Sequence, residues 1–199
     1  MELNGEQLNE QFGTGFSPVK SITGFNHSSL NRPPVPIPMD KLSADVQEQQ
    51  IQASISFEDG KLKLVSAPNG EGLWIPYLGN GNGGPDAKGW GTYSQLVTDA
   101  TWVATGPFSG CYVAAFQGAG FRFAHLITAA AGHPCADVET QIASIKKASG
   151  AVLYQKWDMH GTGLGLAFFM KIGASWVRRF AWVSPDGNVM QINATSTPL

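Results

Sequence analysis

The stretch "TGPFSGCYVAAFQGAGFRFAH", residues 105–125, decides how this chain folds. Two apolar runs, 111–116 (CYVAAF) and 121–127 (FRFAHLI), flank a short Gly-rich segment at 117–120. Short runs of this kind bounded by glycine read as strands, and so tight a connection makes them an antiparallel hairpin. Pairing them brings Cys111 close to Leu126 and His125, with cross-strand Cβ separations of about 5 Å for residues directly opposite. A one-residue slip would turn the histidine to the other face. Register therefore decides whether Cys111 and His125 are a chemical pair or two ordinary core residues, and cysteine is often the latter.

Outward from the hairpin the pattern stays β-rich. Alternation at 51–57 (IQASISF) and 61–67 (KLKLVSA), joined by "EDG", predicts a second hairpin, and 72–78 (GLWIPYL) a further strand. Strands are also expected at 100–104, 151–157, 164–172, 175–184 and 188–193, the last two joined by the turn "SPDGN". Asp137 caps a helix with Val138, Ile142 and Ile145 on one side and lysines before Gly150. A shorter helix is expected over 41–50, capped by Asp40. Residues 1–39, polar and ending in "NRPPVPIP", read as a Pro-rich tail and linker, which leaves 40–199 as a single domain. The fold class expected is α+β: a mainly antiparallel β-sandwich or mixed sheets with a few flanking helices and long loops.

With 43% hydrophobic and 14% charged residues, the 199-residue chain should fold rather than stay disordered. A net charge of −2 without a basic patch argues against nucleic acid as partner. Two cysteines are too few for a disulfide scaffold, so Cys111 is expected as a free thiol. The N-terminus lacks the basic start and apolar core of a signal peptide, and the most apolar stretch, 164–170, falls short of the ~20 residues of a membrane span. The expectation is a protein made in the cytoplasm that enters no membrane by this route.

Several motifs invite chemistry and fail on spacing. "GNGNGG" at 79–84 matches G-x-G-x-x-G, but Pro85 and a loop-like sequence follow where a dinucleotide site needs a helix. Cys111, His125, His133 and Cys135 could be drawn as a zinc set, yet "HPC" spaces two ligands by one proline where chelating pairs use two to four residues. Neither metal nor organic cofactor is expected. The tryptophans fall mostly on predicted strands and read as core; Trp90, in the Gly-rich loop, is the exception and a candidate for a binding surface. His27 and His160 read as plain surface or turn histidines.

"FSGC" suits a nucleophile. Gly110 allows a tight turn, Cys111 begins a strand, and the amides of such a turn can face a developing oxyanion. The motif, with His125 on the next strand, resembles the catalytic domains of bacterial glutamine-deamidase toxins of the Burkholderia lethal factor type and, more remotely, of the cytotoxic necrotizing factor type. Thr105, six residues before Cys111, stands where the former have a catalytic threonine, and "LWIPY" at 73–77 mirrors an upstream strand of theirs. The likeness covers residues 73–125. This chain has two more residues between cysteine and histidine, "TGP" in place of aromatics, and an N-terminal segment without counterpart.

The resemblance implies a Cys111–His125–Thr105 triad, with Ser109 and Gly110 shaping the turn and the oxyanion donors, and Tyr77 and Trp90 as substrate-binding candidates. It implies a virulence effector that converts a glutamine of a host protein to glutamate, acts as a monomer without cofactor, and is delivered to the host cytosol. A cysteine peptidase or other amidase using the same pair, and a non-catalytic binding module, are the alternatives that residues alone leave open.

Overall fold

The opening hairpin forms as β8 (Tyr112–Gln117) and β9 (Phe121–Leu126), paired antiparallel from Gln117↔Phe121 to Tyr112↔Leu126 in a computed structural model of the chain. The structure describes residues 2–13, 19–26, 30, 45–78, 89–128, 135–193 and 197–199. The glycine-rich "GNGNGG", the Asp40 cap, His27 and His133 lie outside the described residues.

Two sheets carry the fold. The larger runs in the order β1 (Ser21–Thr23), β4 (Lys61–Ser66), β3 (Ile51–Glu58), β5 (Gly72–Ile75), β7 (Trp102–Phe108), β11 (Leu164–Ile172), β12 (Ser175–Val183), β13 (Val189–Ile192), with β14 (Thr197–Pro198) also paired to β12. The smaller runs β10 (Val152–Asp158), β8, β9, β6 (Gly91–Tyr93), β2 (Val46–Glu48). Pairing is antiparallel except at β1/β4, β2/β6 and β5/β7, so the sheets are mixed but mainly antiparallel, within the α+β class expected.

Alternation along the central strands generates three apolar layers. On β7 and β11, Trp102, Ala104, Phe168 and Met170 face the N-terminal segment, whereas Val103, Ala167 and Phe169 face the other sheet. Cys111, Val113, Ala115 and Phe123 meet the latter from the smaller sheet. On that sheet's far side, Ala114, Phe116, Ala124 and Leu126 pack on Ile142 and Ile145 of a helix, α2 (Val138–Ser149). Strands buried on both faces carry near-continuous apolar runs, as "LGLAFFM" does. α2 has the ends its sequence predicts: the Asp137 side chain accepts from the Thr140 amide, and Gly150 takes the left-handed conformation.

Two expectations are corrected. The helix over 41–50 is not formed where it is described: 46–48 is strand β2, held parallel to β6 by the pairs Val46↔Gly91 to Glu48↔Tyr93, so sheet pairing overrides local preference. Nor are residues 1–39 only a tail. A first helix, α1 (Gly5–Phe12), is closed by a capping box between Asn4 and Gln7, and Leu3, Leu8, Phe12, Ile22 and Phe25 join the core over the larger sheet. Their reason is burial: without them the face carrying Trp102 and Phe168 would meet water, and a fully buried large apolar side chain contributes about 1.5–3 kcal/mol.

Candidate active site

Register puts Cys111 and His125 on one face of the smaller sheet. Val113 pairs with His125, and residues two apart share a face, so Cys111 lies on the face of His125, one step diagonal from it. Both belong to the layer between the sheets; Cys111 is 6% exposed and His125 is fully buried. Thr105 reaches the same imidazole from the other sheet. It sits on β7, opposite Ile75 of the parallel neighbour β5 and Ala167 of β11.

Hydrogen bonds fix the imidazole's tautomer. The Thr105 hydroxyl donates its one proton to the Ile75 carbonyl at 2.9 Å, so towards His125 Nδ1, at 3.0 Å, it can only accept. Nδ1 therefore carries the proton and Nε2 is the basic nitrogen. Nε2 is buried and makes no hydrogen bond to any described residue, the Cys111 thiol included. The Phe108 ring stacks on the imidazole at 4.1 Å between centroids, and Tyr77 lies tilted at 5.1 Å. Complete burial pulls the pKa of His125 down to about 3, so the ring is neutral at pH 7.

This depression has a measurable consequence. Below about pH 6.5 the unfolded chain binds a proton at His125 that the folded chain does not, so the folded state loses about 1.4 kcal/mol per pH unit until the pH nears the folded value. Urea unfolding between roughly pH 5.5 and 4 should show wild type losing stability more steeply than His125→Gln by that slope. Equal slopes would mean that the folded protein protonates His125 freely.

Around the thiol, burial pushes the Cys111 pKa up, and hydrogen bonds from the Thr128 and Ser109 amides pull against it. The Thr128 hydroxyl also reaches the Gly110 carbonyl at 2.9 Å. Gly110 has φ +108°, a conformation that side chains disfavour, so the turn before Cys111 requires glycine. Ser109 contributes its backbone, its side chain being exposed. Thr128 escaped the sequence reading. It follows β9, and its place is fixed by Gln141 of α2, which accepts from the Ile127 amide at 3.0 Å and donates to the Ile127 and Ala136 carbonyls at 2.8 and 2.7 Å.

The other expected residues divide. Tyr77 touches the imidazole, and burial first, then the nearby Cys111 and Cys135 thiols, push its phenol up. Trp90 is half-buried, bridged to Leu78 through its backbone, and its ring is not among those against His125. Neither Cys111 nor Cys135 is in a disulfide among the described residues. His160 is no plain turn histidine: its Nδ1 pairs with Asp158 Oδ1, and its ring lies over Gly110.

Chemically, the arrangement offers a thiol, a base with its lone pair in the same apolar layer, and amide donors at the sulfur. No helix among the described residues is long and apolar enough to cross a membrane. No family model, curated protein or solved structure matches the chain.

Proposed function

We propose that this chain is a cysteine-dependent protein glutamine deamidase with a fold of the deamidase-toxin type, and that it acts as a bacterial effector on a host protein. The observation that carries this reading is the contact of Thr105 Oγ1 with His125 Nδ1, which aims a free Nε2 into the layer that holds Cys111. In this reading the three residues singled out from the sequence act as one proton-handling array.

In this reading His125 Nε2 takes the Cys111 proton, and the thiolate attacks the carboxamide carbon of a target glutamine. Amides at the turn stabilise the tetrahedral oxyanion. The C–N bond breaks, the nitrogen takes the proton held by His125, and ammonia leaves a thioester. Water, deprotonated by His125, attacks the thioester; the C–S bond breaks, Cys111 regains a proton, and glutamate is released. The sum is glutamine plus water to glutamate plus ammonia. An amine in place of water would give transglutamination by the same steps. The product exchanges an amide that both donates and accepts hydrogen bonds for a carboxylate that only accepts, enough to disable a glutamine on which a target depends.

Mass spectrometry of treated eukaryotic cell extract tests the proposal. Deamidation appears as a gain of about one dalton at a glutamine, amide NH2 becoming OH, absent with Cys111→Ala. New peptide termini instead would identify a peptidase. If wild type and Cys111→Ala leave identical proteomes, the binding module is the better reading.

A further inference from the structure

The site has one imbalance. A thiolate formed at Cys111 would sit in an apolar layer, where an uncompensated charge is costly, and the imidazole within that layer is kept neutral by its burial. His125 is held on Nδ1 by a hydroxyl, with no carboxylate to favour a cation. A lasting positive charge must come from elsewhere.

A second imidazole stands at the turn. A Cβ added to Gly110 would lie 2.7 Å from His160 Nε2, so the ring occupies the space that glycine leaves beside the nucleophile. His160 is held there from three directions. Its Nδ1 pairs with Asp158 Oδ1, and its own amide donates to the same oxygen at 2.8 Å. The Met159 amide donates to the Cys111 carbonyl at 3.1 Å, and Asp158 is in register with Tyr112, so residues 158–160 are stitched to the residues flanking the thiol. The Tyr112 ring meets the imidazole edge-on at 6.5 Å. Carboxylate on Nδ1 and Nε2 on the nucleophile turn is the orientation in which a histidine holds a proton beside a thiolate. Unlike His125, this one is in contact with water: the His160 and Asp158 side chains are 62% and 52% exposed.

We propose that His160, oriented by Asp158, is the second imidazole of this site and that its protonated ring, on the solvent side of the Gly110 turn, stabilises the Cys111 thiolate. This rests on Cys111 being the nucleophile. His160 acts on the sulfur through charge, as a positioning residue, and takes no part in proton transfer. The groups facing it are Asp158, Tyr112 and, over the Tyr112 ring at 5.7 Å, Lys156, whose own charge is engaged by Glu139. Those around the thiol are Tyr77, Cys135 beyond it, His125 and Thr128. Asp158 is the only carboxylate among them that pairs with an imidazole, and the hydrogen bonds from the His160 amide and then its ring hold the Asp158 carboxyl below the usual range.

The pH dependence of Cys111 alkylation by iodoacetamide tests this without a substrate. Full-length wild type, His160→Gln, His160→Lys and Asp158→Asn are compared, with the adduct located by peptide mass. At about pH 6.5, His160→Gln should react roughly five- to tenfold more slowly than wild type and Asp158→Asn roughly two- to threefold, as expected for loss of a unit charge at the turn next to the thiol in a partly aqueous setting. Above roughly pH 9 the curves should converge, since the thiol then ionises unaided. His160→Lys, which keeps the charge, should retain the low-pH rate, a rescue that a merely structural role would not produce. Superimposable wild-type and His160→Gln profiles overturn the proposal, as does a lysine variant no faster than the glutamine one. A wild-type Cys111 inert at every pH brings down the nucleophile assignment itself, an outcome distinct from either.

Discussion

Cys111→Ser is expected to lower the proposed glutamine deamidation by about a thousandfold or more while leaving the melting temperature nearly unchanged. The serine hydroxyl ionises far above a thiol, so a neutral imidazole draws off its proton much less readily and the oxygen is the poorer nucleophile. The exchange removes one sulfur from a pocket that already tolerates Thr128 and Ser109 hydrogen bonds, so little packing is lost. Thr105→Val belongs to the same series and separates chemistry from structure. It is nearly isosteric, but it strands the Nδ1 proton of His125 in the core and frees the tautomer. The cost of an unpaired buried donor, about 1–3 kcal/mol, translates into a loss in kcat of roughly 10- to 100-fold if the tautomer governs the rate. Rates are read as ammonia release once the target is in hand, with KM expected to stay within a factor of about two. A Thr105→Val protein as active as wild type would falsify the orienting role of the threonine and leave Cys111 with a different base.

The largest effect on stability is expected at Trp102→Ala. Trp102 is fully buried under the N-terminal segment, its indole Nε1 donates to the Leu3 carbonyl at 3.2 Å, and its ring fills the space that Gly72 leaves by lacking a side chain. Removing it opens a cavity between β5, β7 and the segment leading into α1 and leaves the Leu3 carbonyl without that donor. Truncations of this kind cost about 3–5 kcal/mol, or roughly 6–20 °C in Tm for a chain of this size. Trp102→Phe, which keeps an aromatic ring and loses the indole N–H, should cost well under half as much. Calorimetry decides between the two, and a loss below about 2 °C for the alanine variant would show that the N-terminal segment contributes little to the cooperative unit.

Most of the sheet was legible because its signals are local. "EDG" between two alternating runs becomes the β3/β4 hairpin, with Asp59 and Gly60 both at positive φ. α2 carries its cap, its apolar stripe and its terminating glycine within fourteen residues. The Cys111–His125 juxtaposition followed from hairpin register alone. What was missed depends on partners far along the chain. β2 and β6 are three residues each and exist through their parallel pairing. Thr128 and His160 reach the turn before Cys111 from segments 17 and 49 positions away from it, for which no spacing rule exists. The N-terminal helix had one readable signal, Asn4 and Gln7 at capping-box spacing, masked by a polar composition in which Leu3, Leu8 and Phe12 look isolated until the sheet gathers them.

The docking of α1 sets the order of events during synthesis. Glu6 accepts from the Gly173 amide and Asn9 from the Arg179 guanidinium, spans of 167 and 170 residues, and the Gly5 amide donates to Thr101. The residues of α1 are thus made long before they find their place, because the surface they cover is completed only by β11 and β12. Until then Leu8 and Phe12 can pack only on the part of that layer supplied by β3, β4, β5 and β7, and the incompletely covered sheet is open to association with other chains. A chain interrupted before β12 should therefore accumulate as a sticky, protease-sensitive species.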